Sequence, residues 1–343
     1  MVAKITDIAR EAGVSVSAVS LALNNKRGVS DALRSKILAI AAELDYRDFK
    51  RLQETDPGKE MRELRVRFLK IAKHGHIVNE RHNPFITEYL EGIEMEASKK
   101  NCKVEVAFFE HKEIEDIVQS QENTDADGLI VLGTELNAYE PRHFAKLKTP
   151  VVFIDTYFPL ASFDCIDIDN SDGVFKALEH FYENGHRSIG LIKSKFETRN
   201  FQMREFSFRE SMKYFNLPVQ EQFILDVDSA YEQATVDMNK HLAGGQKLPT
   251  AFFCMNDIIA YACMKALREN GIKIPEDISI IGFDDLPSSN LSEPPLTSIR
   301  VSNQQIGQRA LEKLLQRIDL STNKAEKILV SGNLISRDSV RYI

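Results

Sequence analysis

Residues 5–25 read ITDIAREAGVSVSAVSLALNN and predict two short helices with a break at Gly13. Thr6 and Ser15 have side chains that favour the capping position at the start of a helix. Apolar residues then recur at helical spacing, with Ile8, Ala9 and Ala12 in the first helix and Val19, Ala22 and Leu23 in the second. A third helix is predicted after Ser30, with a stripe of Leu33, Ile37, Ile40, Ala41 and Leu44. Together the three stripes would close a small core.

Two helices that meet at a tight glycine turn and are closed by a third form the helix-turn-helix arrangement, whose second helix enters the major groove of DNA. The face of that helix opposite its apolar stripe carries Ser17, Ser20, Leu21 and Asn24. Three of these side chains form hydrogen bonds with phosphates or base edges, whereas Leu21 offers only apolar contact. The pattern favours a DNA-binding module over the alternative, a small amphipathic bundle without a nucleic-acid partner.

Composition is typical of a soluble globular protein. The chain has 343 residues, 43% of them apolar and 28% charged, which is enough for about two or three domains. No run approaches the roughly 20 apolar residues of a membrane span, and the first residues lack a signal-peptide core. We therefore expect a cytoplasmic protein without a membrane partner.

Cysteines and histidines give no sign of a metal centre. The four cysteines are scattered along the chain, which favours reduced thiols over disulfides. His74, His76 and His82 are close in sequence, but no cysteine or spaced carboxylate completes a ligand set. We expect no metal.

Charge is distributed unevenly along the chain. Residues 1–52 carry nine Lys and Arg against six Asp and Glu, whereas the remainder carries 35 against 45. A small basic module joined to an acidic body is typical of a nucleic-acid reader carried by another domain.

From residue 64 onward, apolar runs alternate with helical patterns. The strand-like runs are KVEVAFF, DGLIVLG, TPVVFID, RSIGLIK, TAFFCMND and DISIIGFDD, and helix-like segments such as PFITEYLEGIEMEASKK separate them. This alternation predicts an α/β fold of doubly wound parallel sheets. No glycine-rich phosphate loop follows a strand and no nucleophile elbow is present, so we predict no nucleotide cofactor and no enzyme activity.

Four polar residues stand where predicted strands end. Asp155 follows VVFI, Asn256 and Asp257 follow AFFCM, and Asp284 follows IIGF. Ligands of open parallel sheets bind beyond the carboxyl ends of the strands, and a carboxylate accepts hydrogen bonds from two hydroxyls at once. These residues predict a cleft for a sugar or another polyol. Helix capping is an alternative role that is compatible with binding.

The segments ITDIAREAGVSVSAVSLALNN and GVSDALRSKILAIAAELDY closely resemble the headpiece of the LacI family of bacterial transcriptional regulators, and the resemblance covers nearly the whole chain. It implies a helix-turn-helix headpiece followed by a two-lobed effector domain like that of periplasmic binding proteins. The implied divisions are 1–52 for the headpiece, 53–63 for the linker, 64–168 with 300–328 for the first lobe, and 169–299 with 329–343 for the second lobe.

The resemblance also implies contacts with double-stranded operator DNA. The positions that match those touching base edges are Val16, Ser17 and Leu21. The positions that match phosphate contacts are Thr6, Ser15, Ser20, Asn24 and Tyr46, and Arg34 is a further expected DNA-binding residue. A homodimer would read the two halves of a near-palindromic operator.

On the effector side, RNFQMREFSFRESM is similar to the family's arginine segment and places Arg204 at its effector-contacting arginine, with Ser207 in place of a glycine. NPFITEYLEGIE matches the opening of the first lobe and places Phe85 at the cleft. Tyr231 falls at an aromatic position that often stacks on the ligand in the family, and Phe158 is a further aromatic candidate. Packing in the core is the alternative role of Phe85, Phe158 and Tyr231. Together with the carboxylates, Arg204 favours a carbohydrate, whether neutral, phosphorylated or acidic, over a purine.

The linker departs from the family pattern. Members usually continue after the tyrosine with Pro-Asn and a hinge helix that wedges a leucine into the minor groove. Here, 12 of the 21 residues from Arg47 to Arg67 are charged and Pro57 interrupts any long helix. We expect a solvated connector, with Leu52 as the nearest, out-of-register candidate for the wedge.

Two other classes of protein are alternatives. The sugar-binding protein of a transporter would share the two-lobed body, but it would need a signal peptide and no headpiece. An enzyme on this scaffold would need a cofactor loop or a nucleophile elbow. The closing segment ISRDSVRYI has no leucine heptads, so we expect a dimer rather than a tetramer.

Overall fold

The structure, a computed structural model, describes residues 5–23, 28–44, 62–75, 82–245, 247–319 and 324–343. The chain divides into two units, residues 1–63 and residues 64–343. The predictions for Asn24, Tyr46, Leu52 and Pro57 lie outside the described residues, as does most of the linker.

The described part of the first unit contains α1 (Ile5–Ala12), α2 (Val16–Leu23) and α3 (Asp31–Glu43). The predicted apolar stripes of α1 and α2 are confirmed, because all six of their residues are buried. Ser15 caps α2 by accepting a hydrogen bond from the backbone N of Ala18 at 3.2 Å. The predicted cap at Thr6 is wrong, because α1 begins at Ile5 and Thr6 lies within its first turn.

The second unit has two lobes, each built on a six-stranded sheet. The first sheet runs in the order β11-β5-β4-β3-β1-β2 and comprises β1 (Leu64–Ala72), β2 (Cys102–Glu110), β3 (Gly128–Leu132), β4 (Val151–Ile154), β5 (Asp164–Ile168) and β11 (Lys327–Val330). The second runs in the order β12-β10-β9-β8-β6-β7 and comprises β6 (Ile189–Ser194), β7 (Ile224–Val227), β8 (Ala251–Cys254), β9 (Ser279–Asp284), β10 (Thr297–Arg300) and β12 (Asn333–Ile335). Neighbouring strands are parallel except for β10 and β12.

Helices cover the sheets, as expected for crossover connections between parallel strands. Those of the first lobe are α4 (Asn83–Ala97), α5 (Ile114–Gln121), α6 (Pro141–Phe144) and α11 (Asn303–Asp319). Those of the second lobe are α7 (Asn170–Glu183), α8 (Arg199–Tyr214), α9 (Tyr231–Ala243) and α10 (Asp257–Glu269). None of the described helices has both the length and the apolar composition that a membrane crossing needs.

The central strands are continuous apolar runs because both faces of each sheet are covered. Every residue of β3, β4 and β8 is buried, which explains the runs GLIVL, VVFI and AFFC. The edge strand β2 instead alternates between exposed and half-buried residues along most of its length. The predicted α/β fold with two parallel-sheet lobes is confirmed.

The chain crosses between the two sheets after β5, after β10 and after β11. The lobe boundaries predicted between residues 299 and 300 and between residues 328 and 329 fall inside β10 and β11. Arg300 still pairs with Asp284 in the second sheet, and the last two residues of β11 pair with β5 in the first. The observed crossing after β10 therefore lies one residue beyond the predicted boundary, and the crossing after β11 lies two residues beyond it. Backbone pairing rather than composition decides where each strand ends.

Two glycines let α4 and α11 approach each other closely. A Cβ atom at Gly92 would lie 1.9 Å from the carbonyl oxygen of Gln304, and one at Gly307 would lie 2.1 Å from that of Tyr89. Any larger side chain would push the helices apart. This contact fixes the position of Tyr89, whose hydroxyl reaches the polar site described below.

Candidate functional site

A small cavity lies between the two lobes of the second unit, at the carboxyl ends of β3, β4, β8 and β9. Its free volume is about 40 Å³, roughly the space of one or two water molecules. The apolar part of its lining is formed by Phe85, Ile86, Leu132 and Phe201. The polar part is formed by His82, Thr134, Asp155, Thr198, Asn200, Arg204, Asn256 and Asp284.

Asp155 comes directly after β4 and has a φ of 58°, in the left-handed region. Its carboxylate accepts hydrogen bonds from the hydroxyl of Tyr89 at 3.0 Å, from Nδ2 of Asn200 at 3.0 Å and from the hydroxyl of Thr134. Burial raises the pKa of Asp155 to about 6, and the bonds from Thr134 and Tyr89 oppose that rise. Because Asn200 belongs to α8, this carboxylate joins the first lobe to the second.

Arg204 lies one helical turn after Asn200 on α8 and is 3% exposed. Its Nε donates to Oδ1 of Asn170 at 2.8 Å, and its Nη1 donates to the carbonyl oxygen of Met255 at 2.6 Å. Its Nη2 lies 3.4 Å from Oδ1 of Asp284. The guanidinium carbon lies 3.7 Å from the ring centroid of Phe283, a cation–π contact. The protein itself therefore holds the guanidinium in place.

Two further buried carboxyl groups lie near that guanidinium. Asp284 ends β9 with a φ of 106°, and burial raises its pKa well above the usual range despite the opposing charge of Arg204. Asp167 of β5 is fully buried, and its Oδ1 accepts a hydrogen bond from the backbone N of Ile168 at 2.8 Å. Its Oδ2 has no partner at strict hydrogen-bonding geometry among the described residues, but the side chain of Asn200 lies close enough to oppose the rise in its pKa. Burial and the nearby Asp155 raise the pKa of Asp167 to about 8.

We expect Asp167→Asn to change how the stability of the protein depends on pH. A carboxyl with a raised pKa holds a proton in the folded chain that the unfolded chain releases. Its contribution to stability is complete below a pH of about 4 and is lost as the pH rises through about 8. Asparagine cannot ionise, so the variant should gain on the order of 4 kcal/mol relative to the parent between about pH 5 and about pH 8.5. Urea unfolding followed by circular dichroism measures this, and parallel pH profiles would contradict it.

Five of the predicted ligand-binding residues meet at the cavity: Phe85, Asp155, Arg204, Asn256 and Asp284. Asn256 also caps α10, because its Oδ1 accepts a hydrogen bond from the backbone N of Ile259 at 2.9 Å. Asn256 therefore caps a helix and lines the cavity at the same time, which are the two roles that the sequence analysis gave as compatible alternatives.

Asp257 does not line the cavity, although the sequence predicted that it would. It is fully buried, and its carboxylate accepts hydrogen bonds from the hydroxyls of Ser298 at 2.6 Å and Ser289 at 2.7 Å and from the backbone N of Leu286 at 2.8 Å. Burial raises its pKa to about 7, opposed by these bonds. Asp257 fastens the loop after β9 to β10 and has no oxygen facing the cavity lining.

Two predicted aromatic platforms also lie away from this cavity. Phe158 is buried in the first lobe, with its ring edge-on to that of Phe153 at 5.3 Å. Tyr231 opens α9 and borders a separate groove, which Tyr261 and Leu291 of the second lobe and Pro84 of the first lobe also line. Local packing against neighbours distant in sequence decides these positions.

The sequence analysis missed several residues that surround the cavity. Thr134 follows β3 in the same way that Asp155 follows β4, so the strand-end rule would have found it. Asn200 lies four residues before Arg204 and therefore on the same face of α8. Asp167 gave no such signal, because it occupies an interior position of a short buried strand.

In the first unit, the start of α2 is the exposed part of the predicted DNA-contacting surface. Val16 is 43% exposed and Ser17 is exposed, whereas Ser20 and Leu21 are half-buried. Cδ1 of Leu21 lies 3.3 Å from the position of a Cβ on Gly28, so Leu21 packs partly against Gly28.

Arg34, predicted to contact DNA, makes a structural contact in the first unit. Its Nη1 donates to the carbonyl oxygen of Ala22 at 3.1 Å, where α2 ends with unsatisfied carbonyl groups. Lys36 does the same for α1, donating from Nζ to the carbonyl oxygen of Ala12 at 3.2 Å. Both side chains thus tie α3 to the ends of the preceding helices.

Comparison with known proteins assigns both units. The family model of lacI-type bacterial regulatory proteins matches residues 4–48, and the model of the periplasmic binding protein-like domain matches residues 178–340. The HTH-type transcriptional repressor PurR of Haemophilus influenzae is 30% identical over 347 residues, with 99% of each chain covered. The ribose operon repressor of the same organism is 28% identical over 340 residues, with 98% of each chain covered.

Solved structures share the fold along the same length. The transcriptional regulator CelR–cellobiose complex has a TM-score of 0.72 at 22% identity, covering 98% of this chain and 99% of that one. The lac repressor dimer bound to operator and the anti-inducer ONPF has a TM-score of 0.71 at 23% identity, covering 99% and 100%. The relatives are transcriptional repressors and not enzymes. Identity of 30% across nearly the full length of both chains, with the match over residues 4–48, shows that this chain belongs to the LacI family of bacterial regulatory proteins.

Proposed function

We propose that this protein is a transcriptional repressor that binds a near-palindromic operator as a homodimer and changes its operator affinity when a polyhydroxy ligand binds between its lobes. One observation carries the proposal: Asp155, Arg204 and Asp284 meet at a single cavity between two lobes, in a chain that also carries a helix-turn-helix unit. A DNA target would place the protein in the cytoplasm.

The first unit supports the DNA-binding half of the proposal. Val16 and Ser17 are exposed at the start of α2, which is the part of a recognition helix that contacts base edges. The excess of basic residues in positions 1–52, in contrast to the acidic remainder of the chain, favours contact with DNA through the helices of the first unit.

The cavity lining supports a polyhydroxy ligand. Asp155 and Asp284 offer carboxylate oxygens to hydroxyl groups, while Phe85 and Phe201 offer apolar contact to a sugar ring. Two of the proteins that this chain resembles are named for sugars, the ribose operon repressor and the regulator solved with cellobiose. These points favour a sugar over a purine.

Ligand binding would change the separation of the lobes. The cavity of about 40 Å³ is smaller than a monosaccharide, so binding of one would require the lobes or the side chains that line the cavity to move. They are joined by the bonds from Asn200 to Asp155 and by a bond from Nη2 of Arg199 to the hydroxyl of Tyr157 at 2.8 Å. A ligand that binds more tightly to one arrangement of the lobes than to another shifts the protein toward that arrangement. The affinity for the operator changes with it.

The edge of the first sheet supports the homodimer. Val106 and Phe108 lie on β2, where they are 53% and 50% exposed. Exposed apolar patches on an otherwise polar surface are typical of protein interfaces. A second copy of the chain is the proposed partner of this edge.

We expect Phe108→Glu to weaken the dimer by about 2 kcal/mol or more, because a charge would be buried at the centre of the contact. Sedimentation velocity over a range of protein concentrations measures the change. Phe206→Glu is the matched control, since Phe206 is an aromatic residue of α8 with a similar exposure of 58%. Equal sedimentation of the two variants would argue against β2 as the interface.

Fluorescence anisotropy with fragments of the genome that encodes the protein tests the proposal as a whole. The expected result is sequence-selective binding that weakens steeply as salt is raised, together with release or tightening on addition of a sugar. Binding that does not distinguish one fragment from another would overturn the proposed function.

A further inference from the structure

We propose that Asn170 is a positioning residue that holds the two lobes together, because it fixes the direction of a hydrogen-bond relay that runs through Asn200 to Asp155. The inference deepens the proposed function and rests on it, since it names what joins the lobes at the ligand site.

Asn170 lies where the chain first crosses from the first lobe to the second. β5 of the first sheet ends at Ile168, Asp169 caps α7, and Asn170 is the first residue of that helix. Asn170 is 3% exposed and is not among the described residues that line the cavity. A buried amide has to satisfy its donors and its acceptor within the protein, so the bonds of Asn170 indicate its role.

The orientation of the Asn170 amide is fixed from two sides. Its Oδ1 accepts a hydrogen bond from Nε of Arg204 at 2.8 Å, and a guanidinium group can only donate. Its Nδ2 donates to the carbonyl oxygen of Ile168 at 3.2 Å, and a carbonyl oxygen can only accept. Nδ2 also donates to Oδ1 of Asn200 at 2.9 Å. Because the amide cannot turn over without losing its first two bonds, it always presents a donor to Asn200.

The amide of Asn200 is fixed as a consequence. Its Oδ1 faces the donor of Asn170, so its Nδ2 faces the first lobe. There, Nδ2 donates to the carbonyl oxygen and to Oδ1 of Asp155, both at 3.0 Å, and the carboxyl group of Asp167 lies nearby. Because the carbonyl oxygen can only accept, this orientation does not depend on the protonation of either carboxyl group.

The last bonds of the relay join the lobes and compete with a ligand. Asn200 belongs to α8 of the second lobe and Asp155 follows β4 of the first, and both line the cavity. Both N–H groups of Asn200 are already directed at the first lobe. A ligand hydroxyl that accepts a bond from Asn200 therefore has to displace Asp155, and the lobes lose that connection.

Fluorescence of a single introduced tryptophan measures how far the lobes are parted. The chain contains no tryptophan, so Phe85→Trp places one reporter in the wall of the cavity. Quenching of its emission by acrylamide increases when the lobes part and admit the quencher. The measurement uses the full chain without sugar or DNA, each variant carries the reporter, and circular dichroism checks that each variant is folded.

Four side chains at position 170 separate hydrogen bonding from packing. Asn170→Asp keeps the shape of the side chain but turns an acceptor toward Asn200, and Asn170→Ala removes the donor. Each should raise the ratio of parted to joined lobes about tenfold and so strengthen quenching. Asn170→Ser is close to alanine in size but keeps a donor, so it should be quenched less than Asn170→Ala. If Asn170→Asp were quenched like the parent, and Asn170→Ser like Asn170→Ala, packing would explain the role of Asn170 and the inference would be wrong.

A double-mutant cycle tests whether Asn170 acts through Asn200. Asn200→Ala removes the bonds to Asp155 and should by itself strengthen quenching. In that background, Asn170→Asp and Asn170→Ala should each change the ratio of parted to joined lobes by less than about twofold, because the relay is already broken. Effects that add in full would overturn the inference.

Ser171→Asp is the matched control for charge. It places the same new carboxylate in the first turn of α7, one residue further along and at an exposed position. We expect quenching equal to that of the parent. If Ser171→Asp and Asn170→Asp were quenched to the same greater extent, the added charge would be the cause, and the relay would be refuted.

The outcome is distinguishable from that of the proposed function, since neither sugar nor DNA is present. Selective operator binding by a protein whose lobes part independently of Asn170 would overturn the relay and leave the repressor intact. Unselective DNA binding together with the expected quenching would overturn the repressor and leave the relay intact.

Discussion

Arg204→Ala is expected to lower the free energy of unfolding of the two-lobed unit by about 3–5 kcal/mol and to abolish the response to the ligand. The guanidinium is the shared partner of Asn170, Met255 and Asp284, and it stacks on Phe283. Its removal leaves a buried carboxyl without a counter-charge and opens a void in the cavity wall. Urea unfolding followed by circular dichroism measures the first effect, and ligand titration of the operator complex measures the second.

Arg204→Lys is the matched control, because it keeps the positive charge but loses the planar fork that bonds to two partners at once. We expect it to recover part of the lost stability without recovering the response to the ligand. The sequence-selective binding of operator DNA should persist in both variants, since the helix-turn-helix unit is unchanged. An alanine variant with the stability and ligand response of the parent would contradict the role assigned to Arg204.

Leu21→Arg is expected to change which operator sequence is preferred. Leucine packs on a thymine methyl group or an apolar base edge, whereas arginine donates two hydrogen bonds to guanine. Discrimination at one base step should therefore move by about 1–3 kcal/mol, up to about a hundredfold in relative affinity. Binding to a library of operator variants, measured at one fixed salt concentration, reports the change.

The half-buried position of Leu21 requires a control. Its Cδ1 packs close to Gly28, so a polar substitution also disturbs the contact with Gly28. Leu21→Met keeps an apolar side chain of similar volume and should retain the base preference of the parent. If Leu21→Arg weakened binding to every sequence by the same factor, the residue would have a structural role only.

Two adjacent polar residues, Asn256 and Asp257, show the limit of prediction from sequence patterns. Asn256 and Asp257 both follow β8, and the strand-end rule predicts both at the cleft. Only Asn256 lines the cavity, because Ser289 and Ser298 bind the carboxylate of Asp257 from the opposite side. Those hydroxyls come from a loop and a strand more than thirty residues away, and no local pattern contains them.

The buried carboxyl groups show the same limit in another form. Asp155 and Asp284 were predicted because each follows an apolar strand. Asp167 was not, since a carboxyl group inside a strand gives no periodic signal and only the packing around it decides whether it faces solvent, a counter-charge or a cavity. Its distance from Arg204 and Asp155 is set by the pairing of β4 with β5.

The sequence by itself determined the elements of this protein, the family to which it is similar and the strand ends that carry its polar residues. Helices and strands follow from periodic burial and from capping residues, which are properties of a few consecutive positions. The tertiary structure decided which of those polar residues share a cavity, that Arg204 lies beside Asp284, and that the carboxyl group of Asp167 is buried close to Asp155. Charge balance in a buried site depends on distances between segments that are remote in sequence, and only the folded chain fixes those distances.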